Sequence, residues 1–192
     1  MAEIVVETTT VLANLLDAFN GESNAHARYL AFAAKADAEG WHGIASLFCA
    51  AAFAEHVHAG NHARVIRQLG STPHADIRVG ESRSTLENLR VALGGEKFEI
   101  ETMYPEFIAA AETAQNKAAV RSFNWALEAE KTHARLFAEA IAMLETGNKD
   151  SWAAGERAFY VCPACGYTSE APVEEERCPV CKMSWEKFEV IR

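Results

Sequence analysis

The chain has 192 residues, 49% of them hydrophobic and 23% charged, which is enough for one globular domain and a small second module. Its formal net charge of −9 argues against a nucleic-acid surface, because phosphates would be repelled. No apolar run approaches the roughly 18–20 residues of a membrane span, and residues 1–10 lack a basic signal segment. With five cysteines and no such signal, we expect a cytoplasmic protein with neither nucleic acid nor membrane as partner.

The composition changes near residue 146 and predicts two domains. Residues 1–145 are rich in Ala, Leu and Glu, whereas three of the five prolines and four of the five cysteines follow them. We therefore expect a large helical domain over residues 1–145, a linker over residues 146–157 and a small cysteine-containing domain over residues 158–192.

In the large domain, apolar residues recur at alternating steps of four and three in four segments, which predicts a bundle of four helices. The expected helix starts are Thr8, Trp41, Ser82 and Asn116. Gly70 and Gly147 are expected to end the second and fourth helices. Residues 71–81 could just cross a bundle about 40 Å long and make the second and third helices parallel, as in ferritin-like bundles. A plain up-and-down bundle also fits this connection.

Each of the four helices carries a glutamate near its middle, at a position where the period requires an apolar residue. These are Glu22, Glu55, Glu96 and Glu130. Buried carboxylates at one level repel one another and cost several kcal/mol unless cations neutralise them. Three further potential ligands share helix faces with them at a spacing of three: His58, Glu99 and His133. Five glutamates and two histidines suit iron or manganese, so the pattern predicts a two-metal site.

The small domain contains two Cys-x-x-Cys pairs separated by 12 residues, Cys162 with Cys165 and Cys178 with Cys181. This spacing predicts a tetrahedral four-thiolate site, and a domain this small needs the metal in order to fold. Zinc and iron both fit such a site. Lys182 follows the last cysteine, at a position where a left-handed backbone would favour glycine.

The residues around these ligands resemble the metal-binding helices of the rubrerythrin family. The matching segments are residues 21–25 (GESNA), 55–58 (EHVH), 95–99 (GEKFE) and 130–135 (EKTHAR). Tyr160, Tyr167 and residues 185–190 (WEKFEV) are similar to the rubredoxin domain of that family. The resemblance implies a mainly α protein, in which a ferritin-like four-helix bundle precedes a small C-terminal rubredoxin-like domain.

The resemblance also implies the site residues and the cofactors. Two non-haem irons would be bound by Glu22, Glu55, His58, Glu96, Glu99, Glu130 and His133. One further iron, with zinc as the alternative, would be bound by Cys162, Cys165, Cys178 and Cys181. Tyr29 and Tyr104 match two tyrosines near the irons and join the five glutamates as catalytic candidates, although either could be an ordinary core residue. His62 is expected to be a core or supporting histidine, and Cys49 a small buried hydrophobe.

The function implied by the resemblance is an NAD(P)H-linked peroxidase of oxidative stress defence, which reduces hydrogen peroxide with electrons from a reductase or rubredoxin. The alternative is a ferroxidase or iron-handling protein with a structural zinc ribbon. A homodimer or larger assembly is expected. About 21 Å of helix separates His133 from Gly147, so the linker starts far from the site of its own chain. The linker could fold back along the bundle, but a head-to-tail partner would bring a cysteine domain to the other chain's site without strain, and we expect electrons to cross between subunits.

Overall fold

The computed structural model describes residues 2–147, 152–172 and 176–192, with side chains from residue 9 onward. Part of the predicted linker, residues 148–151, lies outside the described residues. The helices are α1 (Ala2–Ala38), α2 (His42–Gln68), α3 (Thr85–Phe98), α4 (Tyr104–Thr113) and α5 (Lys117–Thr146). A π-helical turn, Glu99–Met103, joins α3 to α4, so the third predicted helix is present but interrupted. The mainly helical, ferritin-like prediction is confirmed, although α1 begins at Ala2 instead of Thr8.

The connection between α2 and α3 crosses the bundle. Residues near the start of α1 pack beside the end of α2, so these two helices are antiparallel. The connection then follows α1: the Asp76 backbone N–H donates to Asn20 Oδ1 at 2.9 Å, and the Thr85 N–H donates to Glu39 Oε2 at 2.9 Å. Because Glu39 directly follows α1, α3 begins at the end of the bundle where α2 begins. Helices α2 and α3 are therefore parallel, which is the crossover arrangement of ferritin-like bundles.

Two hydrophobic clusters fill the bundle, one on each side of its middle. The first contains Phe32, Phe48 and Phe137. The second contains Leu15, Ile66 and Phe123. The four glutamates at helix centres lie between these clusters and are at most 1% exposed. A polar layer is thus enclosed by apolar residues from above and below.

Burial along α5 differs from the predicted apolar stripe. Leu127 and Leu144 lie on the stripe with alternating steps of four and three but are half-buried, whereas Ala126 and Ala129 are completely buried. Helix α5 packs against α2, α3, α4 and a strand of the cysteine domain, so it is surrounded on more than one side. Small alanine side chains permit that close approach, which an apolar period alone does not reveal.

The cysteine domain forms a three-stranded antiparallel sheet in the order β2-β1-β3. Its strands are β1 (Phe159–Val161), β2 (Thr168–Ser169) and β3 (Glu189–Ile191). Phe159 and Val161 pack into the first bundle cluster. The Gly43 N–H, in the first turn of α2, donates to Ala153 O at 3.1 Å. The chain therefore folds back along α2 after leaving α5. Within the described residues, none of the helices combines the length and the hydropathy of a membrane span.

Candidate metal centres

The bundle site consists of two overlapping groups of ligands. One group contains Glu22, Glu55, His58 and Glu130. The other contains Glu55, Glu96, Glu130 and His133. Within each group the ligand atoms lie within 4.8 Å of one another. Glu55 and Glu130 belong to both groups and can bridge two ions, whereas the other carboxylates and the histidines lie at the two ends.

Helical spacing aims both imidazoles at the shared carboxylates. His58 Nδ1 lies 2.9 Å from Glu55 Oε2 and 2.8 Å from Glu130 Oε1. His133 Nδ1 lies 2.6 Å from Glu130 Oε2. Each histidine follows its glutamate by three residues, so the two side chains share one helix face. Both rings therefore present Nδ1 to the place where metal ions would bind.

The carboxylate layer fits a pair of cations. Burial and the charges of neighbouring glutamates raise the pKa of Glu55 and of Glu96 well above the ordinary value. Glu22 Oε2 and Glu96 Oε2 are buried without a hydrogen-bond partner among the described residues. Such oxygens are costly unless a cation or a donor compensates them. Because the donors are carboxylate oxygens and imidazole nitrogens, the site fits the di-iron centre of rubrerythrins.

Tyr29 and Tyr104 approach the site from opposite clusters. The Tyr29 hydroxyl donates to Glu96 Oε1 at 2.8 Å, and the Tyr104 hydroxyl donates to Glu22 Oε1. Burial, followed by the charges of neighbouring glutamates, raises the pKa of both phenols well above the ordinary value. Both hydroxyls therefore remain protonated donors to the end carboxylates.

Glu99 lies beside the two ligand groups but belongs to neither. It is half-buried on the π-helical turn, and burial together with the charges of Glu22 and Glu130 raises its pKa. The predicted continuous helix missed this turn, in which the Tyr104 N–H donates to Glu99 O. Pro105 was the available signal, because proline lacks the N–H that would continue the α-helical hydrogen bonds.

The burial of His62 agrees with its prediction, whereas that of Cys49 does not. His62 is completely buried; its Nδ1 lies 2.8 Å from Ser122 Oγ and its Nε2 lies 3.2 Å from the Tyr104 hydroxyl. It lies outside both ligand groups, in agreement with a supporting core histidine. Cys49 was expected to be buried but is half-buried against the first cluster, where burial raises the pKa of its thiol.

The second centre is the predicted four-cysteine cluster. The Sγ atoms of Cys162, Cys165, Cys178 and Cys181 lie within 4.8 Å of one another. Two turns of the same design hold them: the Gly166 N–H donates to Cys162 O at 2.9 Å, and the Lys182 N–H donates to Cys178 O at 3.0 Å. Gly166 has φ +79° and Lys182 has φ +65°, so the lysine after the last cysteine adopts the left-handed backbone that favours glycine. Four thiolates in this arrangement fit a rubredoxin-like iron site.

The cysteine domain contacts the bundle site of the same chain. His58 Nε2 lies 3.1 Å from Cys165 O, and His133 Nε2 lies 3.0 Å from Thr168 Oγ1. Of the two arrangements open from the sequence, the structure shows the one in which the chain folds back to its own bundle, and electron transfer between subunits stays a prediction. Helix α5 does carry the chain away from His133, as its length predicts. The chain then returns along α2 and brings the cysteine domain back to the bundle site.

Sequence reasoning missed the residues that join the two domains. Asn61 Nδ2 donates to Ala164 O at 2.8 Å, on the turn that carries Cys165. Asn61 follows His58 by three residues and so shares its helix face, which was a usable signal. Thr168 carried no comparable signal. Threonine is common in β-strands, so its presence there does not indicate a contact with the bundle.

Comparison with known proteins identifies the family of this chain. The family model described as rubrerythrin matches residues 13–141. Rubrerythrin-2 of Clostridium acetobutylicum is 37% identical over 178 residues, covering 91% of this chain and 93% of that protein. Nigerythrin of Nitratidesulfovibrio vulgaris is 35% identical over 173 residues, covering 90% of this chain and 82% of that protein. The structure of fully reduced, all-ferrous nigerythrin has a TM-score of 0.83 at 33% identity and covers 94% of this chain and 86% of that chain.

The family match covers the bundle, and the relatives extend over the cysteine domain as well. The likeness to nigerythrin extends to the ferritin-like fold. In the bundle the helices bring the carboxylate and histidine ligands together, and in the cysteine domain the two turns bring the four thiols together. On these grounds the chain belongs to the rubrerythrin family and is a di-iron protein of that family.

Proposed function

We propose that the protein is a non-haem di-iron peroxidase whose electrons pass through the iron of the four-cysteine site. The observation that supports this best is the 3.1 Å contact between His58 Nε2 and Cys165 O, which joins a ligand of one centre to a ligand residue of the other. Reduction of hydrogen peroxide to two waters consumes two electrons and two protons. A redox-active iron beside the bundle site supplies electrons one at a time, whereas zinc supplies none.

The proposed ligands divide the work between the two ends of the site. Glu55 and Glu130 would be shared by both ions, and Glu99 is the additional carboxylate beside them. Glu22 and His58 would complete one end of the site, and Glu96 and His133 would complete the other. When bound, the two irons supply the electrons that cleave the O–O bond.

Tyr29 and Tyr104 orient the end carboxylates through their hydroxyl groups, since each donates to one glutamate at opposite ends of the site. The two hydrophobic clusters exclude bulk water from this layer, whose four glutamates at helix centres are at most 1% exposed. A small oxidant such as hydrogen peroxide suits an enclosed site of this kind, and a bulky substrate does not.

We further propose that an NAD(P)H-linked reductase or a rubredoxin delivers electrons to the cysteine domain. We place the protein in the cytoplasm, as a homodimer or a larger homo-oligomer. Cys181 is the half-buried member of the cysteine cluster, and the other three are buried. This edge is therefore the nearest approach for an electron donor.

The decisive experiment separates the two centres by substitution. Glu130→Ala removes a ligand that both ions share, so peroxide turnover should be lost while the visible absorption of the cysteine site remains. Cys181→Ser changes the turn away from the two histidines, so NAD(P)H-driven turnover should be lost while peroxide still oxidises the chemically reduced bundle site.

Cys49→Ser is the matched control, because this cysteine lies outside both centres, and it should retain full turnover. Near-normal turnover by Glu130→Ala, or NAD(P)H-linked turnover by Cys181→Ser, would contradict the proposal. A colourless protein with zinc in the cysteine site and only ferrous-ion oxidation would favour the iron-handling alternative.

A hybrid dimer tests the route of the electrons. Co-expression of a Glu130→Ala chain with a Cys181→Ser chain gives dimers in which each chain retains one centre. Because His58 contacts Cys165 within one chain, we expect the purified hybrid to remain inactive with NAD(P)H. Recovered activity would show that electrons cross between subunits. Light scattering of the wild type checks the proposed homo-oligomer.

A further inference from the structure

We infer that the cysteine domain positions both histidine ligands of the bundle site, through the Thr168 hydroxyl and the Cys165 carbonyl. These groups hold the imidazoles in the tautomer that carries its proton on Nε2, which leaves Nδ1 for metal. Thr168 is thus a positioning residue for His133. The inference rests on the proposed di-iron centre and extends the role of the cysteine domain beyond electron delivery.

The first step concerns His58. Its Nε2 lies 3.1 Å from Cys165 O, and both groups are buried. A carbonyl oxygen only accepts hydrogen bonds, so Nε2 must carry the hydrogen. Nδ1 faces Glu55 and Glu130 on the opposite side of the ring. Binding of a metal at Nδ1 therefore leaves the bond to the cysteine domain intact.

The second step concerns His133 and depends on the direction of a hydroxyl hydrogen. Thr168 Oγ1 lies 3.0 Å from Gly166 O and 3.0 Å from His133 Nε2. The hydroxyl has one hydrogen, and the carbonyl of Gly166 can only accept it. The imidazole must then donate to Oγ1 from Nε2. Thr168 is 1% exposed, so bulk water does not replace this acceptor.

A single short loop makes both contacts. A Cβ atom at Gly166 would lie 2.2 Å from His58 Nε2, and the residue has φ +79°, so only glycine permits this approach. Asn61 anchors the residue before Cys165 by donating to Ala164 O at 2.8 Å. The loop over residues 164–168 therefore fixes the orientation of both imidazole rings. Removal of a group that orients a metal ligand in this way typically changes metal affinity by about 10–100-fold.

The test uses the full-length chain and Zn²⁺ as a redox-silent probe, with the cysteine site filled first. Thr168→Val keeps the side-chain shape but removes the acceptor, so the affinity of the bundle site for Zn²⁺ should fall about 10–100-fold. Nitrogen-15 NMR of the zinc-loaded protein should show a changed Nε2 signal for His133 and an unchanged one for His58. Thr168→Ser restores the hydroxyl and should recover both the affinity and the signal.

Thr113→Val is the matched control, because Thr113 is exposed on α4 and bonds only to Ala109 O in the described contacts. Wild-type affinity and a wild-type His133 signal in Thr168→Val would overturn the inference. Equal losses in the serine and valine variants would also overturn it, since packing and not the hydroxyl would then matter. A wild-type bundle that binds no Zn²⁺ would instead overturn the proposed centre, and this inference with it.

Discussion

The bundle and the cysteine domain hold their ligands in opposite ways. In the bundle, the ligands come from helices that two hydrophobic clusters already hold together. In the cysteine domain, all four ligands come from two tight turns, and the surrounding cluster contains few other buried side chains. The bundle therefore has a core that does not depend on metal, whereas the cysteine domain has its metal site as its core.

The difference also has a cost for the bundle. Its buried carboxylates repel one another, and this repulsion appears as the raised pKa of Glu55 and Glu96. The fold tolerates the layer because the apolar residues on either side stabilise the helices independently. A metal centre in a large core can be built from groups that oppose folding, but one in a small domain cannot.

Removal of all metal should separate the two regions most clearly. After treatment with a strong chelator, the cysteine domain should lose its sheet, since structural zinc sites contribute about 10–16 kcal/mol in small peptides. Helical circular dichroism should persist, because the bundle clusters remain. Amide NMR signals of β1 and β3 report on the small domain, and added Zn²⁺ should restore them. Loss of helical signal in parallel would contradict the comparison.

Truncation of a core aromatic should show how strongly the bundle depends on its clusters. Phe137 is completely buried, with its ring centroid 5.4 Å from that of Phe48, so Phe137→Ala should lower the free energy of unfolding by about 3–5 kcal/mol. Phe98 is 56% exposed, and Phe98→Ala should cost less than about 0.5 kcal/mol. Urea unfolding followed at a helical wavelength measures both. Similar losses in the two variants would mean that this cluster is not what stabilises the bundle.

The ligand layer could be predicted because its information is local. A helix of known period brings every third or fourth residue to one face, so Glu22, Glu55 and Glu130 could be assigned to the core from spacing alone. The cysteine turns were equally local, because each is set by one Cys-x-x-Cys pair. The family resemblance added the identity of the metals, which spacing left open.

The remaining features depend on contacts between residues far apart in the chain. The docking of the cysteine domain requires that Gly43 approach Ala153, a pairing that no periodicity encodes. The buried alanines of α5 follow from neighbours on several sides, and the π-helical turn depends on one proline within a regular pattern. Hydrophobic period predicts which face is buried, but it does not predict what covers that face.

The pH dependence of the metal-free bundle, measured with Zn²⁺ kept in the cysteine site, should report on the ligand layer directly. Burial opposes charging of His58, but the nearby charge of Glu130 outweighs it and raises the pKa to about 9. The folded pKa exceeds the ordinary 6.5, so the protonated ring stabilises the fold fully below pH 6.5. This stabilisation is lost as pH rises towards 9. The raised pKa of Glu55 acts in the same direction. Urea unfolding should show a loss of roughly 2–3 kcal/mol between pH 6 and pH 9.5.

His58→Gln is the control for this pH dependence and should flatten part of the slope. In the metal-loaded protein the slope should reverse, because protons compete with metal for the same ligands. A metal-free bundle whose stability rises with pH would show that the carboxylates and His58 are not coupled as described.

The smallest expected effect concerns the anchor that starts α3. Glu39 accepts from the Thr85 N–H at 2.9 Å and from Thr85 Oγ1 at 2.7 Å, and it pairs with Lys35 Nζ at 2.9 Å. The Thr85 hydrogen bonds lower the pKa of Glu39 to about 2, so its stabilisation is complete above pH 4.5 and is lost as pH falls towards 2. Glu39→Gln should cost about 1 kcal/mol at pH 7 and much less at pH 2. Glu145→Gln, which removes an exposed pair with Arg90, should cost at most about 0.5 kcal/mol at either pH. Thermal unfolding of the metal-free protein, followed by helical circular dichroism, distinguishes the two variants. Equal losses in both variants would show that the crossover connection is not anchored at Glu39, and that the direction of α3 depends on the hydrophobic clusters alone.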